Sequence, residues 1–223
     1  MKLAIYDFDG TYMSSQGLKL VFRFWKKQNL NMSLYHKIWT KIWTRYFFQK
    51  FHLFGWTKQN FRANAMALTA DLFRSVDKAV LDTFLEDLYE HLRSYINPQI
   101  KQELLKDIEA GYYTILLSGN FDIILKPFLK EGFDEVIGSP AIRDGEVLPS
   151  EEIKIIIHDG KAKIILDKFS KADFLNSKAY ADSNYDLPIL EIVGNPVAVN
   201  PDKMLKKIAL ERNYRIIELE DNE

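Results

Sequence analysis

The chain of 223 residues contains no cysteine. That excludes a disulfide framework and any thiolate metal site. It agrees with a reducing compartment, so a cytoplasmic location is expected. No stretch of roughly 18 uncharged apolar residues occurs, so no membrane-spanning helix is predicted. No secretory leader is read at the amino terminus, where an apolar run at Leu3 leads straight into a pair of acids. The histidines His36, His52, His91 and His158 show no metal-ligand spacing. A further absence is local: from Thr11 to Ala70 there is no aspartate or glutamate. That stretch holds the basic residues Lys19, Arg23, Lys26, Lys27, Lys37, Lys41, Arg45, Lys50, Lys58 and Arg62, and all four tryptophans, Trp25, Trp39, Trp43 and Trp56. The formal net charge of −1 therefore conceals an acidic remainder. No nucleic-acid-binding motif accompanies the basic stretch, and no nucleic-acid partner is expected.

What is present is an ordinary globular composition, 47% apolar and 27% charged. The length fits one large domain or a domain carrying an insertion. Leu3–Tyr6, Tyr113–Leu117 and Lys178–Ala181 are short apolar runs that read as buried strands. Between the first two, helical spacing appears at Leu18, Val21, Phe22 and Trp25, and again at Tyr35, Trp39, Ile42, Trp43 and Tyr46. Asn29–Asn31 separates those helices, Gly55 breaks the next segment, and Asp77 is a candidate cap for a helix reaching about Tyr95. Asn97-Pro98 marks a boundary. From there helix and strand alternate: a helix Ile100–Ala110 stopped by Gly111, strand 113–117, a helix 122–130, a strand at 136–137, a hairpin turning on Asp144-Gly145, a helix 161–169, strand 178–181, a helix near 187–192 and a strand at 197–199. Alternation predicts an α/β fold with a parallel sheet. The acidic end, 218–223, is expected to fray.

Each of the three main strands delivers polar groups at the same end. The first ends in Asp7-Phe8-Asp9-Gly10-Thr11, the second in Ser118-Gly119-Asn120, the third in Asp182-Ser183-Asn184-Tyr185-Asp186. In an open parallel sheet the carboxyl ends of strands line the functional crevice. Acids gathered there are costly without a cation, and a hard divalent cation with oxygen ligands suits them.

The order Asp-x-Asp-Gly-Thr, apolar-Ser-Gly, Gly160-Lys161 and Asp-Ser-x-x-Asp resembles the haloacid dehalogenase (HAD) superfamily. The stretch Asp182–Glu191 followed by Asn195–Asp202 is similar to the subfamily IB phosphatases, related to phosphoserine phosphatase. The resemblance covers residues 1–11 and roughly 98–217. It implies a HAD-type Rossmann-like core over 1–13 and 97–223, with a helical cap over 14–96 inserted after the first strand. It also implies Mg²⁺ as cofactor and hydrolysis of a small-molecule phosphomonoester through an aspartyl-phosphate. Asp7 would be the nucleophile. Asp9 would be the acid and base, with its backbone carbonyl on the metal. Its presence separates the family's phosphatases from its dehalogenases. Lys161 would neutralise phosphate and Asp7, although Lys154, Lys163, Lys168 and Lys171 lie nearby. Thr11, Ser118, Gly119 and Asn120 would serve the substrate, the last three as hydroxyl and backbone amides on phosphate. Asp7, Asp9, Asp182 and Asp186 would form the metal site. Two departures stand out: Tyr12 where the family commonly has Leu, and Ala181 where many members have Gly.

In phosphoserine phosphatases an early cap acid meets the substrate ammonium. The acid-free stretch here counts against phosphoserine and favours an anionic or apolar-bodied ester. The basic aromatic segment also suits a lipid phosphate or peripheral contact with an anionic membrane surface; alternatively its aromatics are the cap's own core. A phosphotransferase using the same intermediate and a catalytically idle binding protein are the remaining alternatives. Oligomeric state is left open.

Overall fold

The structure is a computed structural model that describes residues 1–219. The expected fraying of 218–223 therefore lies, from residue 220 onward, outside the described residues. In chain order the elements are β1 (Leu3–Asp7), α1 (Gly17–Lys27), α2 (Met32–Lys50), α3 (Lys58–Phe73), α4 (Lys78–Arg93), α5 (Pro98–Glu109), β2 (Tyr113–Phe121), α6 (Asp122–Leu125), β3 (Glu135–Ser139), β4 (Ile142–Arg143), β5 (Glu146–Val147), α7 (Asp159–Lys168), β6 (Lys178–Ala181), α8 (Leu187–Glu191), β7 (Asn195–Val199), α9 (Lys203–Glu211) and β8 (Arg215–Ile217). Short 3₁₀ turns follow α2, α6, α7 and β6.

Six strands form one parallel sheet in the order β3-β2-β1-β6-β7-β8. β1 is buried along its whole length. Its alternate residues feed two cores. Leu3 and Ile5 pack with Ile165 of α7, Leu190 of α8 and Leu205 of α9. Ala4 and Tyr6 belong to the other core, with Leu104 of α5 and the apolar faces of α1 and α4. A strand covered on both faces needs apolar residues at every position, which is why Leu-Ala-Ile-Tyr reads as a continuous run. The chain crosses from the sheet to α1 and back from α4 through two neighbouring segments. The Ser14 amide donates to Tyr95 O at 2.9 Å and the Asn97 amide to Tyr12 O at 2.8 Å, with Met13 bridging Ile96.

Local chemistry sets the boundaries. Thr57 and Asn60 form a reciprocal capping box at α3. Asn97 caps α5, and Pro98 opens its first turn. Asp144 and Gly145 both take positive φ, 54° and 84°, as the two-residue turn between β4 and β5 requires.

Four expectations need correction. β2 does not stop at Leu117 but runs to Phe121, with a register irregularity against β3 between those residues. The helix expected over 122–130 is one turn of α-helix continued as 3₁₀. Asp77 precedes α4 without a side-chain cap bond. α9 and β8 were not anticipated. α9 is a nine-residue helix whose Leu205 and Ala209 are buried, and β8 has three residues.

Candidate active site

The sheet order places β1 between the strands leading left (β2, β3) and right (β6, β7, β8). The crevice at such a reversal collects the groups at the strand ends. In register, Asp7 pairs with Leu117 and Tyr6 with Tyr180. Ser118 and Asp182, a step or two further along their strands, therefore rise beside Asp7. The resulting cleft has a volume of about 350 Å³. Asp7, Asp9, Ser118, Gly119, Asn120, Lys161, Asp182 and Asp186 all line it. Thr11 does not: its hydroxyl is fully buried and makes no hydrogen bond among the described residues.

The floor is an ionic cluster. Lys161 Nζ donates to Asp7 Oδ1 and Asp186 Oδ1, each at 2.6 Å, and all three side chains are about nine-tenths buried. Ser183 Oγ donates to the other Asp186 oxygen at 2.9 Å. Burial alone would lower the Lys161 ammonium, but the two carboxylates outweigh it and hold the group charged. Burial raises the Asp7 carboxyl, and the charges of Asp186 and Asp182 add to this while Lys161 opposes. Burial, with Asp186 beside it, lifts Asp182 to about 7. The cluster thus holds more carboxylate than one lysine satisfies.

Asp7, Asp182 and Asp186 can each bring an oxygen within 4.8 Å of the others. All-oxygen donors, an excess of negative charge and the burial of Asp7 and Asp186 beside a partly buried Asp182 fit a hard divalent cation. The Asp9 side chain is not in that group; it accepts from the Gly17 amide at the start of α1. Burial raises Asp9, an effect the Gly17 hydrogen bond and Lys161 work against. Gly10 makes the loop passable: its φ is +86°, and a Cβ there would sit 2.4 Å from Asp182 Oδ2.

The second strand end differs from the strand-to-helix turn expected. Ser118-Gly119-Asn120 lies within the irregular end of β2, and the Asn120 amide already donates to Ser118 Oγ at 3.0 Å. The Asn120 side-chain amide is fully buried beside Gly17 and has no hydrogen-bond partner among the described residues.

The helices also contribute residues the sequence did not single out. Leu18 of α1 and Arg62, Ala63 and Met66 of α3 line the cleft, as do Ile155–His158. The Arg62 guanidinium lies over the Tyr185 ring at 5.1 Å, and His158 meets the same ring edge-on at 4.8 Å.

Comparison with known proteins completes this picture. A family model for haloacid dehalogenase-like hydrolases matches residues 4–191. The chain belongs to that family. Among curated HAD-like relatives, a histidinol-phosphatase of Neisseria meningitidis is 26% identical over 166 residues, 66% of this chain and 70% of that one. A Bordetella pertussis protein of unknown function has the same HAD-like fold, with a TM-score of 0.79 at 20% identity over 97% of both chains. A phosphoserine phosphatase in its apo form superposes with a TM-score of 0.61 at 16% identity, over 97% of this chain and 92% of that one. The two structural likenesses concern fold. In the HAD-like frame β1 is the central strand, and the acids at its end face the crevice.

Proposed function

We propose that this HAD-like hydrolase is a phosphatase that cleaves a phosphomonoester in two steps through Asp7. The observation that carries the reading is the pair Asp7 and Asp9 at the end of β1, with the Lys161 ammonium 2.6 Å from Asp7. In the first step an Asp7 oxygen bonds to phosphorus and the bond to the ester oxygen breaks. Asp9 gives a proton to the departing alkoxide. In the second, Asp9 takes a proton from water, the water oxygen attacks phosphorus, and phosphate leaves with Asp7 restored.

Mg²⁺ is the proposed cofactor, held by Asp7, Asp182 and Asp186 and, by family analogy, by the Asp9 carbonyl. When bound it screens nucleophile from phosphate and stabilises the transferred oxygens. Lys161 opposes the burial that raises the Asp7 carboxyl and adds positive charge beside the phosphate. Ser118 and the Gly119 backbone amide are the proposed donors for phosphate oxygens. Buried Asp9, with its proton held more tightly than in water, is suited to protonate the leaving group. Its bond to Gly17 ties that role to α1.

We take 14–96 as a cap over a core of 1–13 and 97–223. The cleft residues from the helical segment are Gln16, Leu18, Arg62, Ala63 and Met66. An ammonium-bearing leaving group finds no carboxylate among them, whereas an anionic or apolar one finds Arg62 and an apolar lip. The test is phosphate release from a panel of phosphomonoesters with Mg²⁺ and with EDTA. The panel includes phosphoserine, sugar phosphates and a short-chain lipid phosphate, with added alcohols to detect transfer. Metal-dependent release lost in Asp7→Asn is expected. Release that persists in that variant would remove Asp7 as nucleophile.

A further inference from the structure

The aromatics of the acid-free segment divide into two populations. Phe22, Phe24 and Trp25 of α1 are buried, and Trp25 packs on Phe73 and Phe84. Those of α2 behave otherwise. α2 buries only Tyr35 and Ile38, and among the described residues from 39 to 60 none is buried. α2 and α3 form a hairpin joined by Tyr46 against Phe61 and by Arg45 against Asn64 and Trp56. On its outer side Trp39, Trp43, Phe47 and Phe51 recur every fourth residue, each between 40% and 55% exposed. That spacing lays them as one slanted stripe on a helix face. Phe54, 82% exposed, stands at the hairpin tip with non-helical backbone.

Cations stand at the tip end of the stripe. Lys50 lies 6.0 Å from the centre of the Phe51 ring, exposed Lys58 opens α3, and no acid lies anywhere between residues 11 and 70. Lys37 and Lys41, each two residues from a stripe tryptophan, lie on the other side of the helix. Exposed indole and phenyl rings with lysines at the tip end, and no negative charge, match the interface of an anionic bilayer. Self-pairing by a two-fold axis would set the lysines of one copy against those of the other. We propose that the outer face of the α2–α3 hairpin docks this protein on an anionic lipid surface, with Trp39, Trp43, Phe47, Phe51 and Phe54 entering the interface and Lys50 and Lys58 meeting headgroups. The proposal goes beyond the catalytic reading and stands without it. α3 also carries Arg62 and Met66 to the cleft, so the docked hairpin is itself part of the cleft wall.

The test uses the full chain and phosphatidylcholine vesicles with and without phosphatidylglycerol, at low and high salt, read by co-sedimentation and tryptophan fluorescence. Expected is binding to the anionic vesicles with a blue shift of emission, weakened by salt. Trp43→Ser with Phe47→Ser, and separately Lys50→Glu with Lys58→Glu, should each weaken binding by about tenfold or more, with unchanged circular dichroism and elution volume. Equal binding to pure phosphatidylcholine, binding indifferent to both variants, or no binding at any composition overturns the proposal. So does self-association that the Trp43→Ser, Phe47→Ser variant abolishes.

Discussion

Charge is crowded into two regions of this molecule, and burial makes them different materials. At the carboxyl edge of the sheet, Asp7, Asp9, Asp182 and Asp186 gather round the Lys161 ammonium, which itself pairs with Asp7 and Asp186. Over residues 11–70, ten cations have no acid among them, and most stand in water. Out of water each charge depends on its neighbours, and removing one leaves the others uncompensated. In water each is individually cheap, and the field of the set extends only about a Debye length, roughly 8–10 Å. The first region is a machine of few indispensable parts. The second is a surface whose effect is collective.

Substitutions sharpen that contrast, beginning with the most damaging. Asp7→Asn keeps shape and removes the proposed nucleophile; turnover should fall by about 10⁴-fold or more, with the unfolding midpoint close to the parent. Steady-state phosphate release and thermal melting check both halves. Lys161→Met strips the cluster of its cation. An unpaired buried charge costs about 3–5 kcal/mol, and loss of a charge-stabilising group about 10²–10³-fold in rate. Denaturant unfolding with and without Mg²⁺ should show the deficit narrowing when the metal is added; an unchanged midpoint without metal would mean the ion pair contributes nothing. Glu103 lies between the two regimes, a nearly buried carboxylate with exposed partners, Arg215 at 2.6 Å and Lys106 at 2.9 Å. The Arg215 hydrogen bond leads in holding it down to about 2. Because its folded value lies below its unfolded one, its contribution is complete above about 4.5 and fades as pH falls toward 2. Glu103→Gln should therefore lower the melting temperature at pH 6 and leave it nearly unchanged near pH 2. Smallest of all, Lys41→Glu alone should move stability by less than about 0.5 kcal/mol, as chemical denaturation would show.

The buried region was also the more legible in sequence. Leu3–Tyr6 announces a strand because both faces of β1 are covered, and its abrupt end in acids announces the crevice. Lys161 stood out from four neighbouring lysines through Gly160 and the helix that follows. Ser118–Asn120 was misplaced onto a turn because Ser and Gly look like a strand's end, whereas the irregularity there lets β2 continue. Arg62 was invisible among ten cations: only the packing of α3 brings it to Tyr185. Trp25 and Trp39 share the same helical spacing in sequence, yet one lies in a core and the other on a surface. Periodicity reports that a helix has a ringed face, not what that face meets.

The neighbouring crossings at 12–14 and 95–97 carry a consequence for how such a chain can change. Since the outgoing and returning segments are hydrogen-bonded to each other, the strand order β1 to β2 is indifferent to how much polypeptide lies beyond them. Closing a longer or shorter excursion between adjacent ends alters the entropy only logarithmically. The sheet and its acids can stay fixed while whatever stands above them is lengthened, trimmed or exchanged, so that reaction and selectivity are free to vary on separate schedules.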